Sequence, residues 1–280
     1  MPYATNPEDK VRIYYQDIGD GRPLVLLHGL SQSGDTWHRF GYVEALEDEH
    51  RLLIVDARAH GKSEGPFDKE SYATPRMVGD IVAVLDHAGV AQTLYYGYSM
   101  GGRIGFGLGI HAPERVSALA IGGAYPSNQR PPALEARIPI LRQGTQAYIE
   151  HLEGIYGDGL DESWRRELEA CDPLGLAALM EANLSEAGME DAARQLKMPV
   201  LIVTGEKDPS VFQQATEASE SIPNAKLVVL PGLGHLEAFE RSDLALPICV
   251  ISSILSVANQ DRRDATWSKF TATLRLASAE

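Results

Sequence analysis

Cysteine is scarce in this chain, with two residues in 280. Cys171 and Cys249 stand far apart and in no metal-like spacing, so no zinc framework and no disulfide-stapled scaffold is indicated. Both read as reduced thiols, which fits an oxidant-poor, cytoplasmic setting. Basic residues are also in short supply. Lys and Arg number 25 against 39 Asp and Glu, a formal charge of −14. Such a field repels phosphate backbones and anionic lipid, which excludes nucleic acid and membrane surfaces as expected partners. Long apolar runs are missing too. The longest uncharged stretch, "LALPICVISSILSVA" (244–258), falls short of the roughly 20 residues that span a bilayer and carries a proline and three serines. It reads as a C-terminal helix on the core. The first residues, "MPYATNPEDKVRIYYQD", show no apolar stretch of signal-peptide type, so export is not expected.

What is present is an alternation. Short apolar runs rich in β-branched residues occur at 11–18, 23–28, 51–56, 93–98, 116–123, 199–205 and 225–232. Between most of them lie stretches of helical spacing, such as "TPRMVGDIVAVLDHAGV", where Met77, Ile81, Val84 and Leu85 share a face and Gly89 ends the helix. The runs lack strict polar alternation, as expected of strands buried on both faces. The fold class is therefore α/β: a mostly parallel sheet flanked by helices. The alternation breaks between about Ala124 and Lys197, which opens with four prolines in "AYPSNQRPPALEARIPI" and continues with helical patterns only. This predicts a helical cap, 124–197, inserted into a core formed by 1–123 and 198–280. An insertion after a strand lies at the carboxyl edge of the sheet, where ligands bind in open α/β folds.

One serine stands out. "YYGYSMGGRIG" (95–105) puts Ser99 between a strand-like run and a helix-like one, flanked by Gly97 and Gly101. The glycines could serve close strand–helix packing, with Ser99 a mere cap. The G-x-S-x-G spacing in a strand–turn–helix context also fits a nucleophile elbow, whose tight turn leaves no room for side chains two residues to either side. A nucleophilic serine needs a base and the base an orienting acid. Of the eight histidines, His235 in "PGLGHLEAFE" follows the last strand on the carboxyl edge, whereas His28 and His60 read as turn-stabilising residues. For the acid, "LIVTGEKDPSVF" offers Asp208 and Glu206. Asp208 is preferred, because Asp-Pro-Ser marks a turn opening into the next helix.

Ser99, Asp208 and His235 in that order, with "LVLLHGLSQSGDTW", "LLIVDARAHGKSEGP" and "GYSMGG", resemble the α/β-hydrolase superfamily over nearly the whole chain. The resemblance implies a Ser-His-Asp triad, with oxyanion-binding N–H groups at Leu30 and Met100 and no metal or organic cofactor. The usual glycine of D-x-R-G-x-G-x-S is Ala59 here, a departure in a structural turn. A serine nucleophile sets the chain apart from the dehalogenases and epoxide hydrolases of this fold, which use Asp. The expected activity is hydrolysis of an ester or lactone of a small, largely uncharged molecule, the charge of −14 being unfit to steer anions inward. A carbon–carbon bond hydrolase of dienoic diketones and a weakly catalytic ligand receptor are the alternatives. Tyr98, Tyr125, Ile140, Tyr148, Trp164 and Leu236 are the expected substrate contacts, with Leu141 and Tyr156 as further cap candidates. The protein is expected to act as a monomer or homodimer.

Overall fold

A computed structural model describes residues 3–129, 132–157 and 160–245. Eight strands form one sheet in the order β1-β2-β4-β3-β5-β6-β7-β8. They are β1 (Tyr3–Thr5), β2 (Arg12–Ile18), β3 (Arg22–Leu27), β4 (His50–Val55), β5 (Thr93–Tyr98), β6 (Val116–Gly122), β7 (Val200–Gly205) and β8 (Ala225–Leu230). β2 runs antiparallel to β1 and to β4, while the pairings from β4 through β8 are parallel. Seven strands lie on the apolar runs of the sequence. β1 is an addition, a three-residue strand whose register, Ala4 opposite Ile13, is set by its partner.

Alternate residues of the central strands feed two separate layers, which is why their sequences are continuously apolar. Val25, Leu27, Leu53, Val55, Leu119, Ile121 and Ile202 join a core with the helices Thr74–His87 and Met100–His111. Leu24, Leu26, Leu52, Ile54, Ala118, Ala120 and Leu201 face the opposite side, onto Trp37, Tyr42 and Phe239. Met77, Ile81, Val84 and Leu85 are all buried, and Gly89 leaves the helix end at φ +68°.

Between β6 and β7 the described residues form helices and no strand, with Pro132–Glu135, Ile138–Leu141, Thr145–Tyr156, Glu162–Glu169, Pro173–Ser185 and Glu190–Ala193 in turn. This helical insertion leaves the carboxyl edge of the sheet after β6 and, because β6 and β7 are parallel neighbours, crosses to the amino edge to enter β7, so only its start adjoins the edge that carries the site. Among the described residues no helix is long and apolar enough to cross a membrane. Cys249 and all of 244–258 except Leu244 and Ala245 lie outside the described residues.

Candidate active site

The loops that follow β3, β5, β7 and β8 meet at the carboxyl edge, and each brings one part of the site. After β5 the chain turns sharply at Ser99, with φ +52° and ψ −108°, and enters the helix Met100–His111. A side chain at Gly97 would stand 2.3 Å from the Gly101 carbonyl oxygen, and one at Gly101 2.1 Å from the Leu27 oxygen. Both glycines are therefore steric requirements of the turn. Ser99 N–H donates to the Gly122 carbonyl at 2.7 Å, tying the turn to β6.

Asp208 and His235 arrive from the loops after β7 and β8. Ser99 Oγ lies 3.0 Å from His235 Nε2, and His235 Nδ1 lies 2.5 Å from Asp208 Oδ2. With the proton on Nδ1, the imidazole donates to Asp208 and accepts from the serine. Asp208 is 1% exposed, and its other oxygen accepts from Ser210 N and Oγ. Burial alone would raise its pKa, but the hydrogen bonds and charge of His235, together with the Ser210 donors, outweigh it and hold the carboxyl below its ordinary value. Glu206, the alternative acid, is exposed and accepts from Gly232 N. Tyr98 buttresses the base from behind: its hydroxyl donates to the His235 carbonyl at 2.6 Å, while its ring stacks on Phe239 at 4.1 Å.

Leu30 and Met100 flank the serine from the loop after β3 and from the first residue of the helix. Gly29 N donates to Gln32 Oε1, Ser31 N to His60 Nε2 and Gly101 N to the His28 carbonyl. Among the described residues the N–H groups of Leu30 and Met100 have no such partner, so both remain able to donate to a ligand. His28 and His60 are indeed turn-stabilising. His28 donates from Nδ1 to Gly29 O and accepts Ala57 N–H at Nε2, and His60 donates to Arg58 O while accepting Ser31 N–H. Complete burial lowers their pKa values to about 4 and about 3, the neighbouring His28 adding to the effect on His60.

A cavity of about 360 Å³ opens over Ser99, floored by Leu30, Met100 and His235 and roofed by the helical insertion. Of the expected contacts, Tyr98, Tyr125, Tyr148, Trp164 and Leu236 line it, as does Tyr156. Ile140 does not, which corrects the expectation. The short helix Ile138–Leu141 turns Leu141 fully into the core and leaves Ile140 packed beside it. The lining also contains Arg103 and Arg137 and, among the described residues, no Asp or Glu. Arg103 lies one turn along the helix from Ser99, donates to Ser127 O and pairs with Glu186 at 3.5 Å. Arg137 sits against the Tyr148 hydroxyl, and its buried Nε has no hydrogen-bond partner among the described residues. Sequence reasoning missed both arginines. Arg103 stands four residues past the nucleophile in "SMGGR", a spacing that puts it on the same side of the helix.

A family model described as the alpha/beta hydrolase fold matches residues 22–150. The chain is 26% identical over 256 residues to a putative 2-succinyl-6-hydroxy-2,4-cyclohexadiene-1-carboxylate synthase of Bacillus subtilis, covering 84% of this chain and 92% of that protein. It is 28% identical over 243 residues to 3-oxoadipate enol-lactonase 2 of Acinetobacter baylyi, covering 82% and 89%. Among solved structures, the enol-lactonase from Burkholderia xenovorans LB400 superposes with a TM-score of 0.79 at 25% identity, over 91% of this chain and all of that one.

Proposed function

The chain belongs to the α/β-hydrolase superfamily, and from that premise we propose that it is a serine hydrolase acting on a small ester or lactone that carries a carboxylate. The observation that carries the reaction class is the hydrogen-bonded series Ser99–His235–Asp208 on a strained turn, beside two undirected N–H groups. In this reading His235 Nε2 takes the Ser99 proton as Oγ bonds the carbonyl carbon. The oxyanion that forms accepts from Leu30 N–H and Met100 N–H, and Asp208 stabilises the imidazolium. His235 then protonates the leaving oxygen. Water, deprotonated by the same imidazole, attacks the acyl-enzyme and frees Ser99. The helical insertion acts as the lid that closes over the acyl group and sets its size.

The lining favours a charged substrate over the uncharged one expected from composition. Net charge describes the distant field, whereas the potential inside a cavity follows the groups that line it. Arg137, in a lining that holds no carboxylate among the described residues, makes a local anion site in an acidic protein, whereas Arg103 is already paired with Glu186. The unmet Arg137 Nε supplies a donor in want of an acceptor. The relative named as a 3-oxoadipate enol-lactonase supports the same class of substrate, and the one named as a synthase of a cyclohexadiene-1-carboxylate is likewise named for a carboxylate.

Fluorophosphonate labelling followed by paired kinetics tests the reading. Ser99 is expected to carry the adduct, and p-nitrophenyl hemiadipate is expected to exceed p-nitrophenyl hexanoate in kcat/KM by about tenfold, a preference that Arg137→Gln removes. Absence of an adduct overturns the nucleophile and favours a receptor. A preference for the neutral ester overturns the substrate class.

A further inference from the structure

Ser31 is a second residue, besides Ser99, that holds a left-handed backbone beside the cavity without being glycine, at φ +63°. An L-residue there costs about 1 kcal/mol or more and persists only when its surroundings over-determine it. At Ser31 every polar group is held by a residue distant in sequence. Its N–H donates to His60 Nε2 at 3.1 Å, its carbonyl accepts from Trp164 Nε1 at 3.2 Å, and its hydroxyl meets the Tyr148 hydroxyl at 3.1 Å. All three contacts are buried. Two of the three partners belong to the helical insertion.

The residue thus clamped adjoins Leu30. The peptide plane that carries Leu30 N–H is fixed through its oxygen, Gly29 O, by His28 Nδ1 at 2.7 Å. The next plane is fixed through Ser31 N–H by His60. Beyond Ser31 the chain is anchored again: Ser33 N–H donates to Glu167 Oε2 and Gly34 N–H to Asp56 Oδ1, both at 2.8 Å. With anchors on both sides, relaxation of Ser31 towards an ordinary φ has to be absorbed by rotation at Leu30. We infer that Trp164 and Tyr148 are positioning residues for the oxyanion: by locking Ser31 they aim Leu30 N–H, so the insertion is a mechanical part of the oxyanion site as well as its roof. The inference rests on the serine-hydrolase reading for its catalytic consequence. The clamp itself rests on the hydrogen bonds alone.

Two competing roles remain for the same side chains, contact with substrate and stability of the insertion, and the experiment separates all three. Trp164→Phe removes the indole donor and Tyr148→Phe the hydroxyl partner, each leaving an aromatic ring in place. Full-length variants are assayed with p-nitrophenyl acetate, whose acyl group is too short to lean on the insertion, and hydrogen exchange is followed over residues 29–33. Ile149→Val, a buried change in the helix Thr145–Tyr156 away from the cavity lining, serves as the stability control. Each clamp variant is expected to lower kcat about tenfold with KM within about twofold, because a small misplacement of an oxyanion donor is paid for in the transition state. Exchange at 29–33 is expected to quicken about tenfold in both, while Ile149→Val changes neither. Unchanged exchange overturns the clamp. Quickened exchange with kcat held, or a kcat loss matched by Ile149→Val at equal loss of Tm, overturns its role in aiming Leu30. If the parent neither hydrolyses esters nor labels on Ser99, the hydrolase reading falls, and exchange alone still decides whether the clamp exists.

Discussion

Ser99 sits in a conformation that folding alone does not favour, and Gly97 and Gly101 are present to permit it. Strain of this kind is retained where chemistry needs it. Ser99→Gly should therefore raise stability by about 1 kcal/mol in urea unfolding while abolishing turnover, and Ser99→Ala should keep the fold while losing about three or more orders of magnitude in kcat. A turnover within tenfold of the parent in either variant sinks the nucleophile. The acid is tested in the same way. Asp208→Asn should cost about 10³-fold or more, since it reverses the tautomer presented to Ser99, whereas Glu206→Gln, altering an exposed acceptor of Gly232 N–H, should stay within about threefold. The opposite ranking would move the acid to Glu206. At this scale the juxtaposition of side chains was legible wherever a local pattern encodes it. Gly-x-Ser-x-Gly, a histidine after the last strand and an Asp-Pro-Ser turn are short-range signals, and the structure brings their side chains within hydrogen-bond distance. Arg137 and Ser31 carry no such signal. Arg137 becomes a cavity residue through the way the insertion folds over the site, and Ser31 is held in its strained form by His60, Tyr148 and Trp164, which are brought to it by the tertiary fold.

Elements buried on both faces announce themselves, which is why β3 to β7 fall on apolar runs, and elements stabilised by one distant partner do not. β1 has three residues and no run of its own; it is held by pairing with β2 and by Asn6 just beyond it, whose side chain donates to Asp80 at 2.7 Å. Ile140 was misplaced for a related reason. Helical spacing tells which residues share a face, but a four-residue helix gives too little periodicity to tell which face meets the cavity. The departure at Ala59 shows how two elements fit. Ala59 occupies φ +64°, its carbonyl accepts from Asp172 N–H, and its methyl lies 2.6 Å from where a Cβ on Gly175 would stand. The start of the helix Pro173–Ser185 thus docks on this turn because position 175 has no side chain. Gly175→Ala should cost about 1–3 kcal/mol, while Ala59→Gly should be close to neutral, its relief of left-handed strain offsetting the lost methyl contact. Combined, the two should recover part of the loss, the Tyr72 hydroxyl at 2.8 Å from the new methyl keeping recovery incomplete. Strict additivity of the two changes in Tm would show that the methyl is not what the helix packs against.

For the molecule as a whole, the buried histidines make stability depend on pH in a defined direction. His28 and His60 each use one ring nitrogen as donor and the other as acceptor, so the fold requires both neutral, and their pKa values fall to about 4 and about 3. His50 is lowered too, also by burial. A histidine whose folded pKa lies below its unfolded value of about 6.5 leaves the unfolded chain binding more protons, so its contribution is complete above that value and is lost as pH falls towards the folded pKa. Asp56, Asp80 and Glu167, raised chiefly by burial, work in the opposite direction because the folded state takes up protons first. Asp208 and Asp9, held low by their partners, lose their contribution only at more acid pH. The histidine share is isolated by difference. Glutamine at position 60 offers a carbonyl that accepts the Ser31 N–H and does not titrate. Between pH 7 and pH 5 the parent should lose about 2 kcal/mol more than His60→Gln in urea unfolding, the amount expected of one histidine that binds a proton only when unfolded. Equal losses in the two proteins would mean that His60 takes up its proton within the fold, and that the lock on Ser31 survives a charged imidazole.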